Sequence, residues 1–408
     1  MSEAIEARRA PRGSPLEVLA LFGRLGLTSF GGPIAHIGYF REEFVVRRKW
    51  LGEEAYGDLV ALCQFLPGPA SSQVGFSIGL ARAGLLGGLA AWAGFTLPSA
   101  AALIAFAYGS QLIDGVVGSG LLHGLKLVAV AIVAQAVWGM ARNFCPDRAR
   151  AMIAAVAAVI VSLSPTAAGQ IATILFGAAA GFLIAPGAAQ ARGDGDHLST
   201  AVTRRGGLVA LTLFFLLLFG LPVLARLTGA QGVTLFDAFY RSGALVFGGG
   251  HVVLPLLREA VVAPGFVGDG TFLAGYGAAQ AVPGPLFTFA AFLGAVAQPP
   301  PNGLAGAAIG LAGIFLPGLL ILFAALPFWT EFRRRATAQT LMRGINAAVV
   351  GLLGAALYDP IFTTAVKTHG DFALALIGFV LLTAWRVPPI VVVVAGALGG
   401  MILAITGL

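Results

Sequence analysis

Two glycine pairs, two Pro-Gly-Pro turns and two arginines recur in the same order along this chain, and they have the most chemistry to offer. The first set is Arg24, Phe30-Gly31-Gly32-Pro33, Arg41-Glu42, then Gln64, Pro67-Gly68-Pro69 and Ser72. The second is Arg241, Phe247-Gly248-Gly249-Gly250, Arg258-Glu259, then Gln280, Pro283-Gly284-Pro285 and Thr288. Arg24, Phe30 and Arg41 reach their copies at an offset of 217 residues, and Pro67 reaches Pro283 at 216. A register held over that distance marks a duplicated unit. Glycine and proline break an apolar helix, and each new helix start exposes backbone N–H groups and the positive end of a dipole. Such a start suits an anion, and glycine lets the backbone come close to it.

The predicted binding set is Arg24, Gly31, Gly32, His36, Gln64, Pro67, Gly68, Ser72 and Lys126, with Arg241, Gly248, Gly249, His251, Gln280, Pro283, Gly284 and Thr288. A guanidinium fork grips an oxyanion through two parallel hydrogen bonds. The bland alternative for the arginines is a local carboxylate, such as Asp237 for Arg241, or snorkelling to the membrane surface. Gln64, Gln280, Ser72 and Thr288 either donate to the anion or satisfy backbone freed at the breaks. His36 and His251 flank the glycine turns without being equivalent, since Ile34 matches His251; each carries a proton, binds anion or is simply structural. Lys126 is a second positive group or a paired one, and its match is Asn346. Arg41-Glu42 and Arg258-Glu259 read as ion pairs closing the mouths of broken segments. No catalytic acid–base constellation, metal cluster or nucleotide motif is present, so no enzyme, cofactor or metal is expected.

These residues must be positioned by membrane helices. Of the 408 residues 58% are hydrophobic and only 11% charged, against about 25% charged in soluble proteins. Too little charge remains to cover a water-facing surface. Apolar runs near the 20 residues that span a bilayer confirm the class. The net charge of +7 reads as cytoplasmic anchoring rather than nucleic-acid binding. Cys63 and Cys145 are isolated, and the first fifteen residues lack the apolar core of a signal peptide. The chain divides into a basic cytoplasmic arm (1–15), a first membrane repeat (16–185), a cytoplasmic linker (186–206), a connecting helix (207–225) and a second repeat (233–407). Within the repeats, Pro98 answers Pro317 and Gly124 answers Gly344.

Charge placement sets the topology. The arm and the loop Arg41–Lys49 are both basic, so the segment between them enters the membrane, turns at Gly31-Gly32-Pro33 and returns on the same side. The segment broken at Pro67-Gly68-Pro69 does the same, and four helices then cross. The connecting helix inverts the second repeat, leaving Arg226, Arg241, Arg258 and Lys367 outside. The expected fold is an all-α integral membrane protein with an inverted-topology repeat. Each half holds two re-entrant broken hairpins and four spanning helices, and one extra helix joins them. Broken helices in such transporters sit at the midplane substrate site.

The paired Phe-Gly-Gly and Pro-Gly-Pro segments resemble the chromate ion transporter family in its long two-domain form, over about residues 16–406. Two departures are Gly250 where the first copy has Pro33, and the unequal histidines. The resemblance implies a secondary transporter exporting chromate, with sulfate as its mimic, from the bacterial cytoplasm. It implies residence in the cytoplasmic (inner) membrane and chromate resistance as the outcome, while the polar first fifteen residues put the N-terminus inside. Another oxyanion or an anion channel are the alternatives, and a homodimer is left open.

Overall fold

The computed structural model describes residues 13–29, 32–110, 115–164, 167–184, 202–247, 252–329 and 336–406. The arm up to residue 12, linker residues 185–201, Gly31, Gly248, Gly249 and His251 lie outside them. The described regular elements are all helical. In the first half they are α1 (Pro15–Thr28), α2 (Gly32–Phe40, prolonged by a π turn Arg41–Arg47), α3 (Glu53–Phe65), α4 (Ala70–Ser110), α5 (Gly115–Phe144), α6 (Arg148–Leu163) and α7 (Ala167–Ile184). The connecting helix α8 runs Arg204–Thr228, longer at both ends than its apolar stretch alone suggests. The second half holds α9 (Gln231–Ala244), α10 (Val253–Val261), α11 (Asp269–Ala279), α12 (Phe289–Val296), α13 (Gly303–Ala325), α14 (Ala336–Ala356), α15 (His369–Thr383) and α16 (Pro389–Thr406). Six described helices are long and apolar enough to cross a membrane. Outward faces carry large apolar side chains, as on α8 at Leu208, Val209, Leu216, Phe219 and Leu227. Water would not tolerate so broad an apolar face, and lipid does.

Side-chain contacts tie the ends of the early segments together. Arg82 in α4 bonds Glu17 near the start of α1 at 3.3 Å and lies over the Trp50 ring, just past the end of α2, at 4.5 Å. Arg41, at the end of α2, pairs with Glu53, at the start of α3. α4 then reverses at Ala83-Gly84, where φ and ψ leave the helical region. Gly79 and Gly87 touch across the bend, since a side chain on either would strike the other's carbonyl. The second half repeats this. Arg258 pairs with Asp269 at 2.9 Å, Gln298 N–H donates to Phe266 O at 2.9 Å, and Gly232 packs by Pro301. The mouth-closing arginines therefore take Glu53 and Asp269, matched at an offset of 216, and not the neighbouring Glu42 and Glu259 that the sequence suggests.

One helical arm measures the distance between the two mouths. The part of α4 from residue 85 to 110 begins beside Arg82. It ends where Tyr108 Oη would lie 2.8 Å from a side-chain carbon on Gly303, next to Pro301. At 1.5 Å per residue the arm is about 39 Å long. The mouths lie at its opposite ends, and Pro98 sits near its middle.

The later helices are exchanged between halves. α5 packs along α16 and α15, and α14 along α7 and α6. Small residues make both crossings. Gly120 and Gly124 meet Gly396 and Gly400, while Thr340 and Gly344 meet Gly177 and Gly181. Spacings of four residues put each pair on one helix face, which lets backbones approach where lipid offers no hydrophobic drive. His123 bonds Asp371 at 2.7 Å and Gln135 donates to Leu382 O at 3.2 Å across the α5–α15 contact.

Candidate functional site

The two Pro-Gly-Pro turns meet the other half's backbone reciprocally. Gly68 N–H donates to Val246 O at 2.8 Å, and Gly284 N–H donates to Ser29 O at 2.9 Å. Ser29 and Val246 immediately precede the two Phe-Gly-Gly breaks. Both turn glycines have positive φ, +116° at Gly68 and +94° at Gly284. A side chain on Gly68 would lie 2.8 Å from Gly318 Cα, and one on Gly284 would lie 2.9 Å from Ser99 Oγ. Gly318 and Ser99 each follow the proline of the long helix in the opposite half. Gln73 stitches this contact, donating through Nε2 to Pro67 O at 2.9 Å and to Gly318 O at 2.8 Å. The two turns and the residues just before the two Phe-Gly-Gly breaks, Ser29 and Val246, are thus drawn to one junction near the middle of the long arm. Gly32, at φ +78°, opens α2, and no atom of the described residues lies within 4 Å of where its side-chain carbon would stand.

Around the junction lie buried polar side chains. His36 Nε2 is 3.2 Å from Ser29 O, and Nδ1 is 3.4 Å from Ser71 Oγ. A carbonyl can only accept, so Nε2 carries the proton and the serine hydroxyl donates to Nδ1. The ring also stands edge-on to Phe95, with centroids 5.1 Å apart. Ser72 is buried and its Oγ has no hydrogen-bond partner among the described residues; the same holds for Gln280 Nε2. Thr288 Oγ1 donates to Pro285 O at 2.7 Å, which braces its own turn.

Four predicted residues are placed elsewhere. Arg24 is exposed. It sits about 200° round α1 from Phe22, whose face packs on α4, so its guanidinium is not brought to the junction. Gln64 is exposed too. Arg241 stays half-exposed and faces Asp237 at 4.0 Å, the local pairing that the sequence allows. Lys126 lines a separate cavity of about 450 Å³ with Phe106, Leu122, Gly270, Thr271 and Phe292. Its Nζ would be 2.9 Å from a side-chain carbon on Gly270, at the start of α11. Sequence reasoning passes over Ser29, Gln73, Thr96 and Ser99, although Ser and Thr next to matched breaks are a usable signal. A second cavity, of about 510 Å³, is ringed by Arg148, Arg150, Arg343 and Asp147 at the end of α5. There the Arg150 backbone N–H and guanidinium hold the Asp147 carboxyl below its usual range. Among the described residues no group of three metal-binding side chains occurs.

An all-helical set of described elements, six of them long and apolar enough to cross a membrane, defines a polytopic helical membrane protein. The chain belongs to the chromate transporter family, whose profile matches it twice, at residues 16–182 and 233–401. The family is one of transporters and not of enzymes. The chain is 29% identical over 411 residues to the chromate transport protein of Pseudomonas aeruginosa, covering 97% of this chain and 94% of that one. It is 24% identical over 400 residues to the probable chromate transport protein of Synechococcus elongatus, covering 96% of each. The chromate transport protein of Cupriavidus metallidurans is 24% identical over 378 residues, 91% of this chain and 88% of that one. No solved structure matches this chain significantly.

Proposed function

We propose that this chain is a secondary transporter exporting chromate across the bacterial cytoplasmic membrane, and that it thereby confers chromate resistance. The carrying observation is the reciprocal junction, Gly68 to Val246 and Gly284 to Ser29. It lies mid-membrane, between mouths at opposite ends of one long helix. Irregular backbone at that depth must be buried or line a wet cavity, and here helix starts at Gly32 and Ala70 turn toward it. Opposed mouths are what an inverted repeat of re-entrant hairpins produces, with the N-terminus and the basic loop after α2 inside. Alternating access at the junction then moves the anion. The relatives named for chromate transport supply the anion class, with sulfate as a geometrically similar competitor.

Energetics favour export. One charge crossing 100 mV is worth about 2.3 kcal/mol, so a dianion leaving a negative interior gains about 5 kcal/mol per 100 mV. Labelled chromate should accumulate saturably in inverted membrane vesicles containing the chain, and sulfate should compete better than phosphate. Accumulation no greater than in vesicles lacking the chain would overturn the proposal. Unitary currents in place of saturable counterflow would make it a channel.

A further inference from the structure

The repeat register pairs each buried residue at the junction with a counterpart in the other half. On the first-half side the buried residues near the junction are polar: Ser29, His36, Ser71, Ser72, Thr96 and Ser99 are each at most 3% exposed. Their counterparts, at offsets of 217, 216 and 219 set by Arg24–Arg241, Pro67–Pro283 and Pro98–Pro317, are Val246, Val253, Phe287, Thr288, Phe315 and Gly318. Four of the six pairs exchange a polar side chain for valine or phenylalanine.

Gln280 Nε2 on the second-half side is also without a partner among the described residues, but the two sides differ in how well their hydroxyls are met. Ser29 Oγ, Ser72 Oγ and Thr96 Oγ1 are buried without a hydrogen-bond partner among the described residues. A buried hydroxyl left unpaired loses its hydration for nothing in return, and each such case calls for a missing partner. In the second half the equivalent space is packed. Phe287 and Phe315 rings lie 5.9 Å apart, and Phe315 meets Trp92 at 5.8 Å. Val246, Val253, Phe287 and Phe315 all belong to the main apolar core. The only polar counterpart, Thr288, already spends its hydroxyl on Pro285 O. His36 offers no free donor, since its one N–H goes to Ser29 O. It is a positioning residue that holds Ser71 and the Ser29 backbone in place.

We infer that the junction seats one tetrahedral oxyanion, off centre on the first-half side, with the hydroxyls of Ser29, Ser72 and Thr96 as donors. The mirrored position in the second half is closed by Phe287 and Phe315. This rests on the oxyanion reading of the site and adds where, and how many, anions bind. An acceptor-only anion meets the unspent donors, and neutral hydroxyls hold it without the fixed charge that would retain it.

The test is equilibrium binding of radiolabelled chromate to the purified full-length chain. One chromate per chain is expected. Ser29→Ala and Thr96→Val, which each delete one hydroxyl with little change of shape, should each weaken binding about tenfold. The second-half changes Val253→Thr and Phe315→Leu should stay within about threefold of wild type. Thermal midpoints check the fold, and Ser72→Ala reads the same seat if either hydroxyl variant fails to fold. Two chromates per chain overturn the inference, as do equal losses from both sides of the register or wild-type affinity in the hydroxyl variants. Any of these would leave oxyanion transport standing. A wild-type chain that binds and moves no chromate or sulfate would instead overturn the transport reading itself.

Discussion

Replacing Gly68 or Gly284 by alanine should damage the fold far more than the same change at Gly32. All three have positive φ, +116°, +94° and +78°. Holding an alanine in such a conformation costs about 1–3 kcal/mol. At Gly32 that is the whole cost, because no atom of the described residues lies within 4 Å of the added carbon. At Gly68 the carbon would also stand 2.8 Å from Gly318 Cα, and at Gly284 it would stand 3.0 Å from Phe95 O. Backbone cannot rotate aside as a side chain can, so the two halves must separate locally. Overpacking of that kind adds about 1–3 kcal/mol. The 2.8 and 2.9 Å hydrogen bonds across the junction weaken with it, at about 1 kcal/mol each. Gly68→Ala and Gly284→Ala should therefore each lose about 3–7 kcal/mol, and Gly32→Ala about 1–3 kcal/mol. Denaturation of the purified protein in detergent, monitored by tryptophan fluorescence, reads the order. Turn variants as stable as Gly32→Ala would refute the idea that these glycines weld the halves together.

The same arrangement fixes three further outcomes. With Cys63 and Cys145 replaced, Val46→Cys and Ala263→Cys should react with impermeant thiol reagents from opposite faces of the membrane; labelling from one face would remove the inverted repeat. Lys126 has no ion-pair partner among the described residues and lines its own cavity. Lys126→Gln should raise the chromate concentration for half-maximal transport about tenfold, less so at high salt; an unchanged value would make the lysine structural. Cutting the chain between residues 185 and 202 should give folded protein only when both pieces are expressed together, because α5 and α14 are each packed by the other half's helices. Either piece folding alone, seen by protease resistance, would contradict that exchange.

Much of this arrangement is legible in the sequence, because the repeat constrains it. The breaks at Pro67–Pro69 and Pro283–Pro285, and the charge pattern around Arg41 and Arg82, are local signals, and the structure draws those turns together as a duplicated unit requires. Arg24 shows where register stops informing. It matches Arg241 in sequence, but rotation about α1 carries it to the face away from α4, and no acid answers Asp237 at Ala20. The ion-pair partners escape a reading by adjacency, which suggests Glu42, because the turn after α2 brings Glu53 to Arg41. The exchange of α7 and α16 is beyond reach. Gly177, Gly181, Gly396 and Gly400 announce close packing, yet nothing in their spacing names the helix they will meet.

That exchange decides which bodies can move. Alternating access is often pictured as one repeat rocking against the other, but here the repeats are not separate bodies. α5 belongs with α15 and α16, and α14 with α6 and α7, while the hairpins and long helices of both halves share the junction. If rocking occurs, these exchanged bundles move against the hairpin core, and contacts inside a bundle persist throughout the cycle. Ala131 of α5 and Gly378 of α15 test this, because their side-chain carbons would lie 3.1 Å apart. That is close to the separation a disulfide spans, so a slight backbone adjustment suffices. Oxidising an Ala131→Cys, Gly378→Cys pair joins the first half to the second. Transport should survive at a rate within about twofold of the reduced protein, since no contact that moves has been tied. Arrest on oxidation, reversed by reductant, would mean that α5 and α15 must part, and that the sequence halves are the moving bodies after all.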